Sequence, residues 1–195
     1  MKKIYLFLLF FIIFYNIAYS QIADKKVKPQ CRYNYLQLTV GAGFTRPTEI
    51  MADSYNTSAN FGFDLSWRVN PEVAVFFESR YNVMSLVDSV GPTSGFLQNT
   101  FGTRFYFTSK NVRSSFFVEC SVGPYFKFRG SYIDSTNHQT NSVTEVRLGA
   151  NAGVGGELVF TDNFYFTIKA RYHSLFGIGG LISYIDGFGG FTVRL

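Results

Sequence analysis

Few residues in this 195-residue chain are placed for chemistry: it has two histidines, two cysteines and some serines near them. His173 and Ser174 are adjacent, and a serine that attacks an ester needs a histidine within hydrogen-bond reach to take its proton. Both lie in Phe164 to Phe176, where Phe164, Phe166, Ile168, Ala170 and Tyr172 alternate with Tyr165, Thr167, Lys169, Arg171 and His173. A period of two marks a strand, and strand neighbours project to opposite faces, so His173 and Ser174 cannot share a proton directly. His138 stands among Ser135, Thr136 and Thr140 in a polar loop, where mobility works against a preorganised dyad. Cys31 and Cys120 lie far apart, before the first strand and inside a central one, and are expected as unpaired thiols. Together with the histidines they show no ligand spacing such as Cys-x-x-Cys. Gly153-Val-Gly-Gly156 sits inside a strand pattern, where glycine permits close packing or curvature and not a phosphate loop. No catalytic residue, metal or cofactor is expected.

The alternation that separates His173 from Ser174 recurs along the chain. It fits Tyr35 to Phe44, Asn60 to Val69, Val73 to Met84, Leu97 to Phe107, Phe116 to Arg129, Glu145 to Phe160, Phe164 to Phe176 and Leu181 to Leu195. A strand of about 10 to 16 residues, tilted near 45°, is long enough to cross a hydrocarbon core of roughly 30 Å. Asn70-Pro71-Glu72, the stretch around Lys110-Asn111 and Thr161-Asp162-Asn163 read as tight turns. Thr45 to Ser58, Ser85 to Gly95 and Ser131 to Asn141 read as long polar loops, and Gly177 to Gly180 is a short fourth connection. The predicted fold is all-β, an eight-stranded antiparallel up-and-down transmembrane barrel over 35–195.

The N-terminus has the form of an export signal. Lys2 and Lys3 precede an apolar run from Ile4 to Tyr15, and Ala18 and Ser20 are placed for cleavage before Gln21. The expected division is a signal peptide at 1–20, a short periplasmic segment at 21–34 and the barrel. Cys31 lies too far from that cleavage point to be a lipoprotein anchor. Losing Lys2 and Lys3 lowers the formal charge from +5 to +3, and the other basic residues are scattered, which excludes the basic patch that nucleic acid requires. The 23 Phe, 13 Tyr and 18 Gly beside 5 Pro favour β structure.

The two faces differ in chemistry. One carries Asp64, Arg68, Glu78, Arg80, Arg104, Glu119, Lys127, Arg147, Glu157, Lys169, Arg171, Asp186 and Arg194 with small glycines. The other carries Leu36, Val40, Phe63, Trp67, Phe101, Val122, Leu148, Val154 and Phe191, almost without charge. A lipid-facing wall explains that absence, since each lysine or arginine at the midplane would cost about 2–4 kcal/mol. Glu78, Arg80, Arg104, Glu119, Lys127, Arg147, Glu157, Lys169 and Arg171 are then expected to form a structural charge network filling the lumen. Aromatics near strand ends (Tyr35, Phe44, Trp67, Tyr81, Phe107, Phe128, Phe160, Phe164 and Phe176) are candidates for interfacial girdles.

Leu38-Thr-Val-Gly-Ala-Gly-Phe44, Leu148-Gly-Ala-Asn-Ala-Gly-Val-Gly-Gly156, the closing Gly189-Gly-Phe-Thr-Val-Arg-Leu195 and the Ala-Tyr-Ser-Gln end of the signal carry a resemblance. Over nearly all of its mature length the chain resembles the small outer-membrane β-barrel family of OmpA-type transmembrane domains and OmpX-like proteins, particularly the Bacteroidetes versions. That resemblance implies a bacterial outer-membrane location with both termini periplasmic, and contact with outer-membrane lipid and lipopolysaccharide. It also implies handling by the barrel-assembly machinery during biogenesis, although the chain ends on Leu195 where family members often end on an aromatic. The expected role is non-enzymatic, with structural, adhesion or binding work at loops that bear Arg46, Glu49, Ile50, Met51 and Tyr55, or Tyr132, Asp134 and His138. Two alternatives are a lipid-modifying outer-membrane enzyme, whose Ser and His are spaced two apart, and a soluble periplasmic lipocalin-like ligand-binding barrel with its apolar face inside.

Overall fold

The computed structural model describes residues 34–48, 52, 55–86, 94–107, 115–129, 132–133, 139–140, 143–161, 163–177 and 182–195. The export signal, the 21–34 segment apart from Asn34, Cys31, His138 and the turn around Lys110-Asn111 lie outside these residues. Eight long strands make the wall: β1 (Tyr35–Pro47), β2 (Ser58–Arg68), β3 (Val73–Leu86), β4 (Ser94–Phe107), β5 (Ser115–Arg129), β6 (Val143–Val159), β7 (Phe164–Phe176) and β8 (Ile182–Arg194). Each pairs antiparallel with the next, and β8 returns to β1, so the sheet has no free edge.

The register fixes the geometry of closure. Starting at Gln37, successive partners are Ser66, Phe76, Gly102, Ser121, Asn151, His173 and Tyr184, and the last of these pairs with Pro47. The path thus rejoins β1 ten residues along from Gln37. Eight strands with that stagger tilt about 41° from the axis and enclose a backbone cylinder about 16 Å across, with each residue rising about 2.5 Å. Strands of 11 to 17 residues therefore span a hydrocarbon core of about 25–30 Å.

Local chemistry sets the ends. In the turn after β2, Asn70 Oδ1 accepts from Glu72 N (2.9 Å) and Val73 N (2.8 Å), an Asx arrangement in which Pro71 supplies a fixed φ. The two ends of the barrel meet where Leu195 N donates to Leu36 O and the Arg194 guanidinium lies 3.8 Å over Tyr35. Both ends therefore share one rim with the short turns. At the β1–β8 seam, a Cβ on Gly41 would lie 2.2 Å from Gly189 O, so only glycine permits this approach.

The opposite rim departs from the sequence reading. Hydrogen bonding continues beyond Phe44 through Thr45, Arg46 and Pro47, and β4 begins at Ser94 and not Leu97. Tyr55–Asn56 pairs with β3, and Tyr132–Ile133 pairs with Gln139–Thr140, so two of the expected polar loops contain short strands. Tyr35 is also corrected: it shares the inward face with Gln37 and Thr39 and belongs to no outer girdle, whereas Phe44, Trp67, Phe107, Phe160 and Phe176 are exposed outside.

Candidate functional site

Alternation turns one side chain in two inward, and the resulting lumen is layered. Four carboxylates (Asp64, Glu78, Glu119 and Asp186) and four cations (Arg80, Arg104, Lys169 and Arg171) meet in its middle, all buried. Glu78 accepts from Arg171 Nη1 at 2.6 Å, Lys169 Nζ at 2.7 Å, Arg80 Nη2 at 2.7 Å and Gln98 Nε2 at 2.5 Å. Asp186 accepts from Arg80 Nη1 at 2.5 Å and Arg171 Nη2 at 2.7 Å. Asp64 accepts from Arg104 Nη2 at 2.6 Å and Lys169 Nζ at 2.9 Å, and Glu119 from Arg104 Nε at 2.9 Å. The group is formally neutral, as burial of so many charges demands. Two of its guanidiniums also rest on aromatic faces, Arg80 3.9 Å over Phe188 and Arg104 4.4 Å over Phe117.

Apolar layers cap this group on both sides. Toward the long-loop rim, Met84, Phe96, Tyr125, Leu175 and Tyr184 pack together with Tyr55 and Ile182. His173 lies beneath them, stacked on Tyr184 at 4.3 Å, with Nδ1 3.0 Å from Tyr125 Oη and Nε2 3.2 Å from Asp186 Oδ2. Toward the short-turn rim, Ala74, Tyr106 and Phe117 form the second layer. There Tyr106 Oη donates to Glu157 Oε1 at 2.7 Å, and the Arg68 guanidinium lies 3.6 Å over the Tyr106 ring. Among the described residues these two layers pack against the charged group from above and below.

The structure divides the nine residues singled out from sequence among three levels. Glu78, Arg80, Arg104, Glu119, Lys169 and Arg171 come together in the middle. Glu157 sits with Arg68 and Tyr106 near the short-turn rim, at 3.6 Å from Arg68 Nη1. Arg147 pairs with Glu145 at 2.6 Å near the long-loop rim, where Lys127 is the register partner of Glu145 and lies 5.9 Å from the Phe96 ring centre. Asp64 and Asp186, half of the central anionic charge, were assigned to the polar stripe but not to the network. No sequence signal flags Gln98, which donates to Glu78, Tyr106, which donates to Glu157, Tyr125, which bonds His173, or Tyr184, which donates to Gln98.

The serine and histidine are separated as the strand period requires. His173 is buried in the lumen, while Ser174 occupies the outer face of β7. Cys120 is a free, exposed thiol on the outside wall. Among the described residues, no three His, Cys, Asp or Glu side chains are grouped to hold a metal ion.

The wall itself has reversed polarity. Phe101 and Leu148 are each 65% exposed and Val122 60%, while the charges are inside. Solved structures share this architecture. The N-terminal β-barrel domain of Pseudomonas aeruginosa OprF is 15% identical, covering 84% of this chain and 98% of that one, with a TM-score of 0.53. The outer membrane protein OprG from the same organism is 10% identical over 84% and 97%, with a TM-score of 0.58. Ail, the attachment invasion locus protein of Yersinia pestis, is 15% identical over 84% and 100%, with a TM-score of 0.56. No protein-family model and no curated protein matches the sequence. The chain has the fold of the small eight-stranded outer-membrane β-barrels.

Proposed function

We propose that this protein is a non-enzymatic barrel of the bacterial outer membrane, closed to solutes, whose long-loop rim is its working surface. The observation that carries the reading is the inverted polarity: a neutral group of eight buried charges inside and a wall of exposed Phe, Leu and Val outside. Such a wall is stable only against lipid. A soluble lipocalin-like barrel requires the opposite arrangement. In this reading the rim shared by the short turns and both ends of the barrel faces the periplasm, as short turns do in barrels of this kind. The outer wall contacts lipid and lipopolysaccharide, and the barrel-assembly machinery inserts it. The internal charges hold the wall together and conduct nothing. Adhesion or binding falls to the loops, which are exposed and carried on a rigid scaffold; the name of Ail, an attachment protein of the same fold, accords with this.

The test is reconstitution into lipid vesicles followed by osmotic swelling in small sugars. The expected result is firm association with the vesicles and no swelling above protein-free controls. Sugar entry at porin-like rates would refute the closed lumen, and a protein that stays in the aqueous phase without detergent would refute the membrane location.

A further inference from the structure

We propose that two copies of this chain associate side by side in the membrane through the outer face of β4, with Asn99 of each hydrogen-bonded to Asn99 of the other; this rests on the membrane reading above. In the eight long strands Asn99 is the one side-chain amide turned outward, and its register partner Ser79 on β3 is outward as well, both half-exposed. The register row that joins Val40, Phe63, Ser79 and Asn99 fixes their depth. With the ten-residue stagger, Ser79 stands about 3 Å and Asn99 about 6 Å from the mean depth of the central charges. Both therefore lie well inside the hydrocarbon. Among the described residues neither side chain has a hydrogen-bond partner. An unbonded amide is costly where no water reaches, and an acyl chain offers neither donor nor acceptor. A second protein surface offers both, which is why polar side chains at this depth ordinarily face protein.

Three features select a second copy as that surface. An amide carries a donor and an acceptor, so it complements its own image and two bonds close together. Copies inserted with the same rim toward the periplasm are related by a two-fold axis along the membrane normal, which keeps each Asn99 at the depth of its counterpart. The flanks of β4 also complement each other about that axis. On the β3 side stands Phe77, its ring packed on Phe101 with centroids 4.8 Å apart. On the β5 side stands Cys120, an exposed short side chain. The register sets Phe77 and Cys120 within about 1 Å of the same depth. The two-fold axis therefore brings the Phe77 ridge of each copy opposite the low Cys120 flank of the other.

The test is energy transfer between copies in phosphatidylcholine vesicles. The full chain carries Cys120→Ala, so that Cys31 alone takes a donor or an acceptor dye, and the protein is diluted stepwise with lipid. Transfer above that of randomly placed barrels at the same density is expected, falling on dilution along a monomer–dimer curve. Asn99→Leu suits the lipid and should keep the heat-dependent shift in SDS that marks a folded barrel, yet weaken association about tenfold. Cys120→Phe, which fills the low flank, should weaken it as well. Transfer no greater than random placement gives would leave lipid or a different protein as the neighbour of Asn99 and overturn the proposal. Association unchanged by Asn99→Leu or by Cys120→Phe would overturn it too. A protein that fails to enter the vesicles would instead remove the membrane reading itself.

Discussion

Replacing Lys169 by methionine should expose how dry the lumen is. Lys169 Nζ is buried against three carboxylates, Glu78 at 2.7 Å, Asp64 at 2.9 Å and Glu119 at 3.5 Å. Its loss leaves four buried carboxylates facing three guanidiniums. Breaking a buried ionic group by removing one partner destabilises by about 3–5 kcal/mol. A water-filled channel would screen the same change to about 0–1 kcal/mol. Asp64→Asn in the same molecule restores neutrality, and every remaining ion keeps a partner: Arg104 holds Glu119 at 2.8 Å, and Arg80 and Arg171 hold Glu78 at 2.7 and 2.6 Å. The double variant should therefore be more stable than the sum of the single losses implies, by about 1–3 kcal/mol of coupling. Urea unfolding in vesicles, followed by Trp67 emission, measures all four members of the cycle. A loss below about 1 kcal/mol for Lys169→Met, or additivity within about 0.5 kcal/mol, would refute the sealed neutral core.

Three further outcomes are expected. Val154→Arg, on the exposed wall level with the central charges, should cost about 2–4 kcal/mol in folded yield from vesicles, whereas Thr57→Arg, outside the barrel strands, should cost nothing measurable; equal effects would remove the lipid-facing assignment. A Cβ at Gly153 would stand 2.3 Å from Arg171 Cγ and 2.4 Å from Ala170 O, while one at Gly156 meets nothing nearer than 3.5 Å. Gly153→Val should thus lower stability by about 3 kcal/mol and Gly156→Ala by far less, as the same unfolding assay would show. Finally, in a Cys31→Ser background, Cys120 should react with a membrane-impermeant maleimide at least about tenfold faster after unfolding than in vesicles, because thiolate chemistry needs water; equal rates would place that wall in solvent.

What could be read from the sequence follows from what a period of two encodes. It assigns a face to each strand residue, and the inward set from Tyr165 to His173 and the outward set from Leu36 to Phe44 are placed by that rule alone. It does not assign a height. Which charges meet depends on register and on the ten-residue stagger around the barrel, and these bring Asp64 of β2 beside Lys169 of β7, 105 positions apart in sequence. The same stagger carries Glu157 toward one rim and Arg147 and Lys127 toward the other, although alternation groups all three with Lys169. Strand ends were underestimated for a related reason. Beyond the hydrocarbon, outward positions such as Arg46 need not be apolar, so the pattern stops while the hydrogen-bond ladder continues to Pro47. Tyr55–Asn56, Tyr132–Ile133 and Gln139–Thr140 have too few residues each to show any period.

The most direct test of an inside-out barrel is electrophoretic mobility in SDS, with and without boiling, of the protein extracted by detergent from the outer-membrane fraction. A closed barrel whose wall is paired all the way round and whose core is ionically sealed should resist SDS and run at a different position until boiled. A protein recovered in the soluble fraction, with the same mobility before and after boiling, would contradict the account.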